Sequence, residues 1–100
     1  MAADTANRIA QEAKANRNAT YAKIRRTKPE VITADLLAPG QFELGRLSVA
    51  ENYIARLSEG HSPAEALRFA KACHHDIRAD GYLCPDFNAG AHTAIGELDT

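Results

Sequence analysis

A helix-stop signal followed at once by a helix-start signal, in the middle of the chain, constrains the fold more than any other feature of this sequence. Gly60 suits the left-handed backbone conformation that ends many α-helices. Ser62 and Glu65 then have the spacing of a capping box, in which a hydroxyl and a carboxylate accept hydrogen bonds from free backbone N–H groups. Pro63 lies at the first helical position, where its missing N–H is tolerated. The stretch therefore predicts two helices joined by a short turn.

Apolar residues on both sides of this turn recur at helical spacing, as one face of a helix requires. Those before the turn are Ala50, Tyr53, Ile54 and Leu57, and those after it are Ala66, Phe69, Ala70, Cys73 and Ile77. Ser48 and Glu51 form a second capping-box pattern ahead of the first set. We therefore predict a helical hairpin with helices at about 48–58 and 62–79.

The rest of the chain also favours helices over strands. It has no Trp and only three Tyr and three Phe. Its core therefore depends on Ala, Leu and Ile, which suit close-packed helices better than a sheet. We predict an all-α fold, a small compact helical domain of about four to five helices at residues 1–81, with the hairpin as its C-terminal part. Residues 82–100 mix Pro, Gly, Asn and Asp with isolated apolar residues, and we expect an irregular C-terminal segment there.

Two segments of the N-terminal half leave alternatives open. The apolar residues of segment 3–16 recur at helical spacing, which predicts a helix there. After it the chain either forms a second short helix or continues the first as one long helix. Pro29 should close this element. The next apolar run, at residues 31–38, has both strand and helix signals, and we expect a short helix because no second strand is present to pair with a first. Pro39 and Gly40 would end it.

The net charge of −1 conceals a division along the chain. Residues 1–29 contain seven Lys or Arg and two Asp or Glu, whereas residues 30–100 contain five and eleven. Such an asymmetry indicates either a charged partner or one part of the chain docking on the other, and the sequence leaves both open. The positive charge is densest in what we call the basic cluster, which consists of Lys23, Arg25, Arg26 and Lys28.

The basic cluster is the strongest candidate for contact with a partner. If its backbone is helical, Lys23, Arg26 and Lys28 share a face that can meet phosphates or acidic side chains. The simpler alternative is a solvated helix end whose cations complement the C-terminal dipole. Acidic residues follow directly and interrupt a continuous phosphate track. The predicted partner-binding residues are Lys23, Arg25, Arg26, Lys28, Glu30, Asp35 and Glu43.

Residues 53–70, YIARLSEGHSPAEALRFA, resemble the helix-turn-helix of small phage terminase subunits and repressors. That resemblance implies DNA binding by the second helix. The sequence departs from the pattern at His61, where an apolar residue is usual, and at Glu65, where a carboxylate would face the DNA phosphates. A small helix-turn-helix DNA-binding regulator of a phage or plasmid is therefore the alternative function.

The sequence offers little for catalysis or metal binding. Metal-ligating residue types gather in one region, but the close ones occupy consecutive helical positions about 100° apart, which does not favour chelation. They are Cys73, His74, His75, Asp76, Cys84 and His92. No nucleophile or phosphate-loop motif is present, and we expect neither an enzyme nor a bound metal or cofactor. No stretch is apolar enough for a membrane helix or signal peptide, which favours a cytoplasmic protein.

In overall character the chain is similar to the type I-F anti-CRISPR proteins that phages and mobile elements deploy against their hosts. The resemblance rests on length and overall organisation, because this chain is small, mostly helical, divided in charge and without a catalytic motif. No aligned motif carries family residues over to this chain. The resemblance implies an inhibitor that binds the RNA-guided surveillance complex in the bacterial cytoplasm and blocks target-DNA binding by surface occupation. The partner would be a protein or ribonucleoprotein complex, with contact to the nucleic-acid backbone left open.

Overall fold

The structure, a computed structural model, describes residues 2–79 and 85–99, and for Ala2, Ala34 and residues 74–79 it describes the backbone alone. These residues form α1 (Ala2–Arg25), one turn of 3-10 helix (Pro29–Val31), α2 (Ala34–Ser58), α3 (Pro63–Ala79) and α4 (Pro85–Leu98). No strand occurs in the described part of the chain, and the predicted small all-α fold is confirmed.

The central helix is α2, which packs against each of the other three. Ile9 and Tyr53 are the largest fully buried side chains. Most of the other buried apolar residues are alanines, namely Ala6, Ala10, Ala13, Ala50, Ala66, Ala70, Ala91 and Ala94. Because these side chains are small, the helix backbones approach one another closely, and the core is thin and tightly packed.

The helices α2 and α4 come very close where each carries a glycine. A Cβ atom on Gly45 would overlap the backbone carbonyl oxygen of Phe87, and a Cβ atom on Gly90 would overlap that of Phe42. Two helix backbones meet this closely only where the residue facing the partner has no side chain. The two glycines therefore set how deeply α4 docks on α2.

The turn between α2 and α3 has the geometry that the sequence predicts. The backbone N–H of His61 donates to the carbonyl oxygen of Arg56 at 3.1 Å, and that of Gly60 donates to Leu57 at 3.1 Å. This pair of bonds is a Schellman motif. Gly60 has a φ of 95°, which a residue without a Cβ atom adopts at little cost.

The predicted capping box at the start of α3 is also present. The N–H of Glu65 donates to the hydroxyl of Ser62 at 3.2 Å, and the N–H of Ser62 donates to the carboxylate of Glu65 at 3.2 Å. The backbone bond from Ser62 is the largest cause of the lowered pKa of the Glu65 carboxyl, followed by the Ser62 hydroxyl and His61. Two backbone N–H groups that the helix leaves free are thus satisfied reciprocally.

Replacing Ser62 with alanine is expected to lower the free energy of unfolding by about 1 kcal/mol, because the N–H of Glu65 loses its acceptor. Ser58→Ala is the matched control, since the Ser58 hydroxyl only donates to the carbonyl oxygen of Ile54 within α2. Its expected change is below about 0.5 kcal/mol. Urea denaturation of the two variants measures the difference, and equal losses would mean that the capping box does not stabilise the hairpin.

The helix α2 is longer than the sequence predicts, because it continues through Pro39. The expectation that Pro39 would end a short helix was wrong, and so was the expectation that Ser48 would start a new one. The missing N–H of Pro39 removes one hydrogen bond to the carbonyl of Asp35, and a proline inside a helix costs about 3 kcal/mol. Residues 40–50 contain most of the buried positions of α2, and their packing offsets this loss.

The helix α1 is unbroken, which is the single long helix that the sequence left as an alternative. The polar stretch in its middle does not end it. Thr20 donates its hydroxyl hydrogen to the carbonyl oxygen of Asn16 at 3.1 Å, within the helix.

The prediction of an irregular C-terminal segment is wrong for residues 85–98, which form α4. Pro85 is its first residue, and Asp86 lies in the first turn, where negative charge favours the helix dipole. Gly90, one of the residues that suggested a loop, is a contact point on α2. Packing against α2 therefore decides the conformation of this segment against its local propensity. Residues 82–84 and 100 lie outside the described residues.

Candidate functional site

One end of the α1–α2 pair projects beyond the core. The two helices run antiparallel, so that Asn16 donates a hydrogen bond to Glu43 at 3.2 Å and, further along, Thr20 lies against Gly40. Of residues 14–39, none whose burial is described is buried. The two helices therefore continue past the packed core towards the 3-10 turn that joins them.

We call residues 19–39, where the end of α1 turns back into the start of α2, the hairpin tip. It is distinct from the hairpin that α2 and α3 form. From Ala13, the last buried residue of α1, to Arg25 at its end, the helix rises by about 18 Å. The molecule is correspondingly elongated, with principal extents of 47 × 28 × 21 Å. The hairpin tip is thus a two-helix projection, and none of its residues whose burial is described is fully buried.

The basic cluster lies in the hairpin tip, and all four of its residues are exposed. Within the described part of the chain, none of the four forms an ion pair. Lys23 and Arg25 lie in the last turn of α1, where positive charge favours the helix dipole. Lys28 has an extended backbone, with φ −62° and ψ 138°. The backbone is not helical directly beyond Arg25, so that the condition for a helical face shared by Lys23, Arg26 and Lys28 is not met, and the cations follow the chain around the end of α1.

The three predicted acidic partner-binding residues have different surroundings. Glu30 lies in the 3-10 turn and Asp35 in the first turn of α2, and both are exposed in the hairpin tip. Glu43 is only 8% exposed and accepts hydrogen bonds from Asn16 and Arg46. Its assignment as a partner-binding residue is therefore corrected. The unbroken α2 places Glu43 against α1, where an intramolecular network holds it.

That network is centred on the buried Arg46 of α2. Its guanidinium lies 3.2 Å from Glu43, 3.1 Å from Glu12 of α1 and 3.1 Å from Glu97 of α4. Arg8 reaches Glu12 at 3.0 Å and Glu97 at 3.3 Å. The pair Arg8–Glu97 shows that the basic and acidic parts of the chain do dock on each other. The basic cluster takes no part in this network, and internal docking therefore does not account for it.

Hydrogen bonds from Arg46 and then Arg8 lower the pKa of the Glu12 carboxyl below its ordinary value. Burial by itself would lower the pKa of Arg46, but the hydrogen bond to Glu12 and the charges of Glu97 and Glu43 raise it. A carboxylate whose pKa falls on folding stabilises the fold above the ordinary pKa of 4.5 and loses that contribution as the pH falls through the folded-state value. The ion pair between Glu12 and Arg46 is therefore fully charged at neutral pH.

Large apolar side chains are also exposed in the hairpin tip. They are Tyr21 at 38%, Val31 at 56% and Leu37 at 42%, and one further example among the described residues is Phe69 of α3 at 39%. Neither Val31 nor Leu37 was among the residues predicted from the sequence to bind a partner. A signal was present, because Leu36 and Leu37 are adjacent and only one of them can face α1.

An open groove of about 260 Å³ runs between α1 and α2 in the hairpin tip. Among the described residues it is lined by Ala19, Thr20, Lys23, Asp35, Leu36 and Pro39. Lys23 and Asp35 stand on opposite helices, so that the groove has an apolar lining with one positive and one negative charge at its sides.

The helix α3 presents an aromatic cluster and no basic reading face at its start. The ring centre of Phe69 lies 4.8 Å from the guanidinium carbon of Arg56 and 4.9 Å from the ring centre of His61. The carboxylate of Glu65, one turn earlier on α3, lies 3.5 Å from Nδ1 of His61. Phe69 was predicted to lie on a buried apolar face, but it is exposed and packs against these polar neighbours. The carboxylate of Glu65 at the start of α3 would oppose DNA phosphates.

The described residues contain no group of three or more His, Cys, Asp and Glu placed to hold a metal ion. The side chains of His74, His75 and Asp76, and all of Cys84, lie outside the described residues. Within the same limits, no helix is both long enough and apolar enough to cross a membrane.

Comparison with known proteins returns no family model, no curated protein and no solved structure that matches this chain.

Proposed function

We propose that the protein is a small phage- or mobile-element-encoded inhibitor that binds the type I-F CRISPR RNA-guided surveillance complex. It blocks target-DNA binding by occupying a surface of that complex, in the cytoplasm of the bacterial host, without a catalytic step or a cofactor. The observation that carries the proposal is the hairpin tip. It combines exposed cations that have no ion-pair partner among the described residues with exposed apolar side chains, on a projection outside the core.

Each part of the hairpin tip has a physical role in such an inhibitor. The basic cluster steers association with a charged assembly, and charge mainly affects the rate and the specificity of binding. Tyr21, Val31 and Leu37 supply apolar area, which contributes more of the affinity once water is excluded. Glu30 and Asp35 can meet Lys and Arg side chains that the complex uses to hold DNA phosphates.

Gel filtration with the purified surveillance complex tests the proposal directly. We expect the protein to co-elute with the complex at micromolar concentration and to prevent it from shifting a labelled target duplex. Failure to co-elute would refute the proposal.

Reversing two cations, in the double variant Arg25→Glu with Arg26→Glu, is expected to weaken binding to the complex about tenfold or more at low salt, because attraction becomes repulsion. Lys14→Glu with Arg68→Glu is the matched control, since it makes the same change in net charge at exposed sites outside the hairpin tip. We expect the control to bind within about threefold of the parent protein. Far-UV circular dichroism should be unchanged in both, and unfolding of the tip variant would show that the basic cluster is structural.

A DNA-binding regulator is the second candidate, and the turn between α2 and α3 is the observation in its favour. The Schellman motif and the capping box hold the two helices in a compact hairpin of the helix-turn-helix kind. A regulator would bind naked duplex DNA, with an affinity that falls steeply as the salt concentration rises. An inhibitor of the surveillance complex would leave naked DNA unbound, and an electrophoretic shift assay separates the two.

A further inference from the structure

The charges around the groove of the hairpin tip alternate in sign. Lys23 on α1 and Asp35 on α2 border the same groove. Glu30 also interrupts the positive charge, because it follows the basic cluster within the 3-10 turn. A nucleic-acid backbone presents negative charge at every step, and each carboxylate of the hairpin tip would oppose it. A protein surface can instead place a carboxylate opposite Lys23 and basic side chains opposite Glu30 and Asp35.

The exposed apolar side chains point to the same kind of partner. The ring of Tyr21 can stack on a base or pack in a protein pocket, and it does not discriminate between them. Val31 and Leu37 are aliphatic and are exposed by 56% and 42%. The sugar–phosphate backbone offers little apolar surface for such side chains, whereas the core of a protein interface excludes water around them.

We propose that the hairpin tip binds a protein subunit, on a surface that carries both carboxylates and basic side chains, and not a nucleic-acid backbone. This inference rests on the proposed function and identifies the component of the complex that the inhibitor contacts. Carboxylates of the subunit face the basic cluster, and a basic side chain faces Asp35. An apolar side chain of the subunit enters the groove between α1 and α2, whose volume of about 260 Å³ accommodates it.

Photo-crosslinking from the hairpin tip tests which component lies there. Thr33 is the position of choice, because it is exposed and its side chain makes no capping hydrogen bond at the start of α2. With benzoylphenylalanine in place of Thr33, we expect irradiation of the assembled complex to link the protein to a peptide of a protein subunit that contains both acidic and basic residues. A crosslink to the guide RNA would overturn the inference and leave the proposed function standing. Absence of co-elution would instead refute both.

Apolar substitutions provide an independent measurement. Val31→Ser with Leu37→Ser is expected to weaken binding to the complex about tenfold, because both side chains lose their apolar contacts. Phe69→Ser is the matched control, since Phe69 has comparable exposure but lies on α3, outside the hairpin tip. We expect the control to bind like the parent protein, and single-stranded RNA added in excess not to compete. Parent-like binding by the tip variant together with competition by RNA would overturn the inference.

Discussion

Gly90→Ala is expected to lower the free energy of unfolding by about 3 kcal/mol, the largest loss that we expect from any single added methyl group in this protein. The new Cβ atom would overlap the carbonyl oxygen of Phe42, and backbone cannot move aside as a flexible side chain does. Docking of α4 on α2 must therefore loosen. Urea denaturation followed by circular dichroism measures the loss.

Gly96→Ala is the matched control for this prediction. Gly96 lies on the same helix, but its added Cβ atom would have no neighbour within 4 Å. Because alanine favours a helix over glycine, we expect this control to gain up to about 1 kcal/mol. Gly45→Ala, whose Cβ atom would overlap the carbonyl oxygen of Phe87, should repeat the loss from the other side. A Gly90 variant as stable as the Gly96 variant would contradict the close approach of α2 and α4.

Arg46→Leu is expected to destabilise the protein by about 3 kcal/mol or more, because it leaves a buried carboxylate without its counter-charge. The side chain of Arg46 is 9% exposed and that of Glu43 is 11% exposed, so that water cannot replace the lost partner. Thermal or chemical denaturation at neutral pH measures the change.

Arg8→Met is the control for this second prediction, since the side chain of Arg8 is 52% exposed. An exposed ion pair contributes little, and we expect a loss below about 1 kcal/mol. Adding Glu43→Leu to Arg46→Leu should recover part of the lost stability, because two apolar side chains replace two buried charges. A double variant no more stable than Arg46→Leu would show that Glu43 is not the residue left uncompensated.

Local signals in the sequence were sufficient for the turn between α2 and α3. Gly60 and the pair Ser62–Glu65 act through bonds within a few residues, and the structure forms those bonds as predicted. The sequence was less informative wherever contacts between distant residues decide the conformation. Pro39 does not end α2, and Gly90 does not break α4, because each segment gains more from packing than it loses in local propensity.

The same limit applies to the candidate site. Exposure of the basic cluster follows from local composition, and so does the position of Asp35 at the start of α2. Burial of Glu43 does not follow from local composition, because it depends on Arg46 one turn away and on Asn16 across the helix pair. The exposed Val31 and Leu37 were missed for the converse reason. An apolar side chain in the sequence predicts burial, and only the position of α1 shows which of the two adjacent leucines, Leu36 or Leu37, lacks cover.

The unbroken α2 has a consequence for the thermodynamics of recognition. Its N-terminal turns carry Asp35 and Leu37, and its C-terminal half is locked into the core by Ala50 and Tyr53. The backbone that carries Asp35 and Leu37 is therefore ordered before a partner arrives, and little of its entropy is lost on association. Binding should consequently show a small entropic penalty and only a small change in helix content, unlike the coupled folding of a disordered inhibitor.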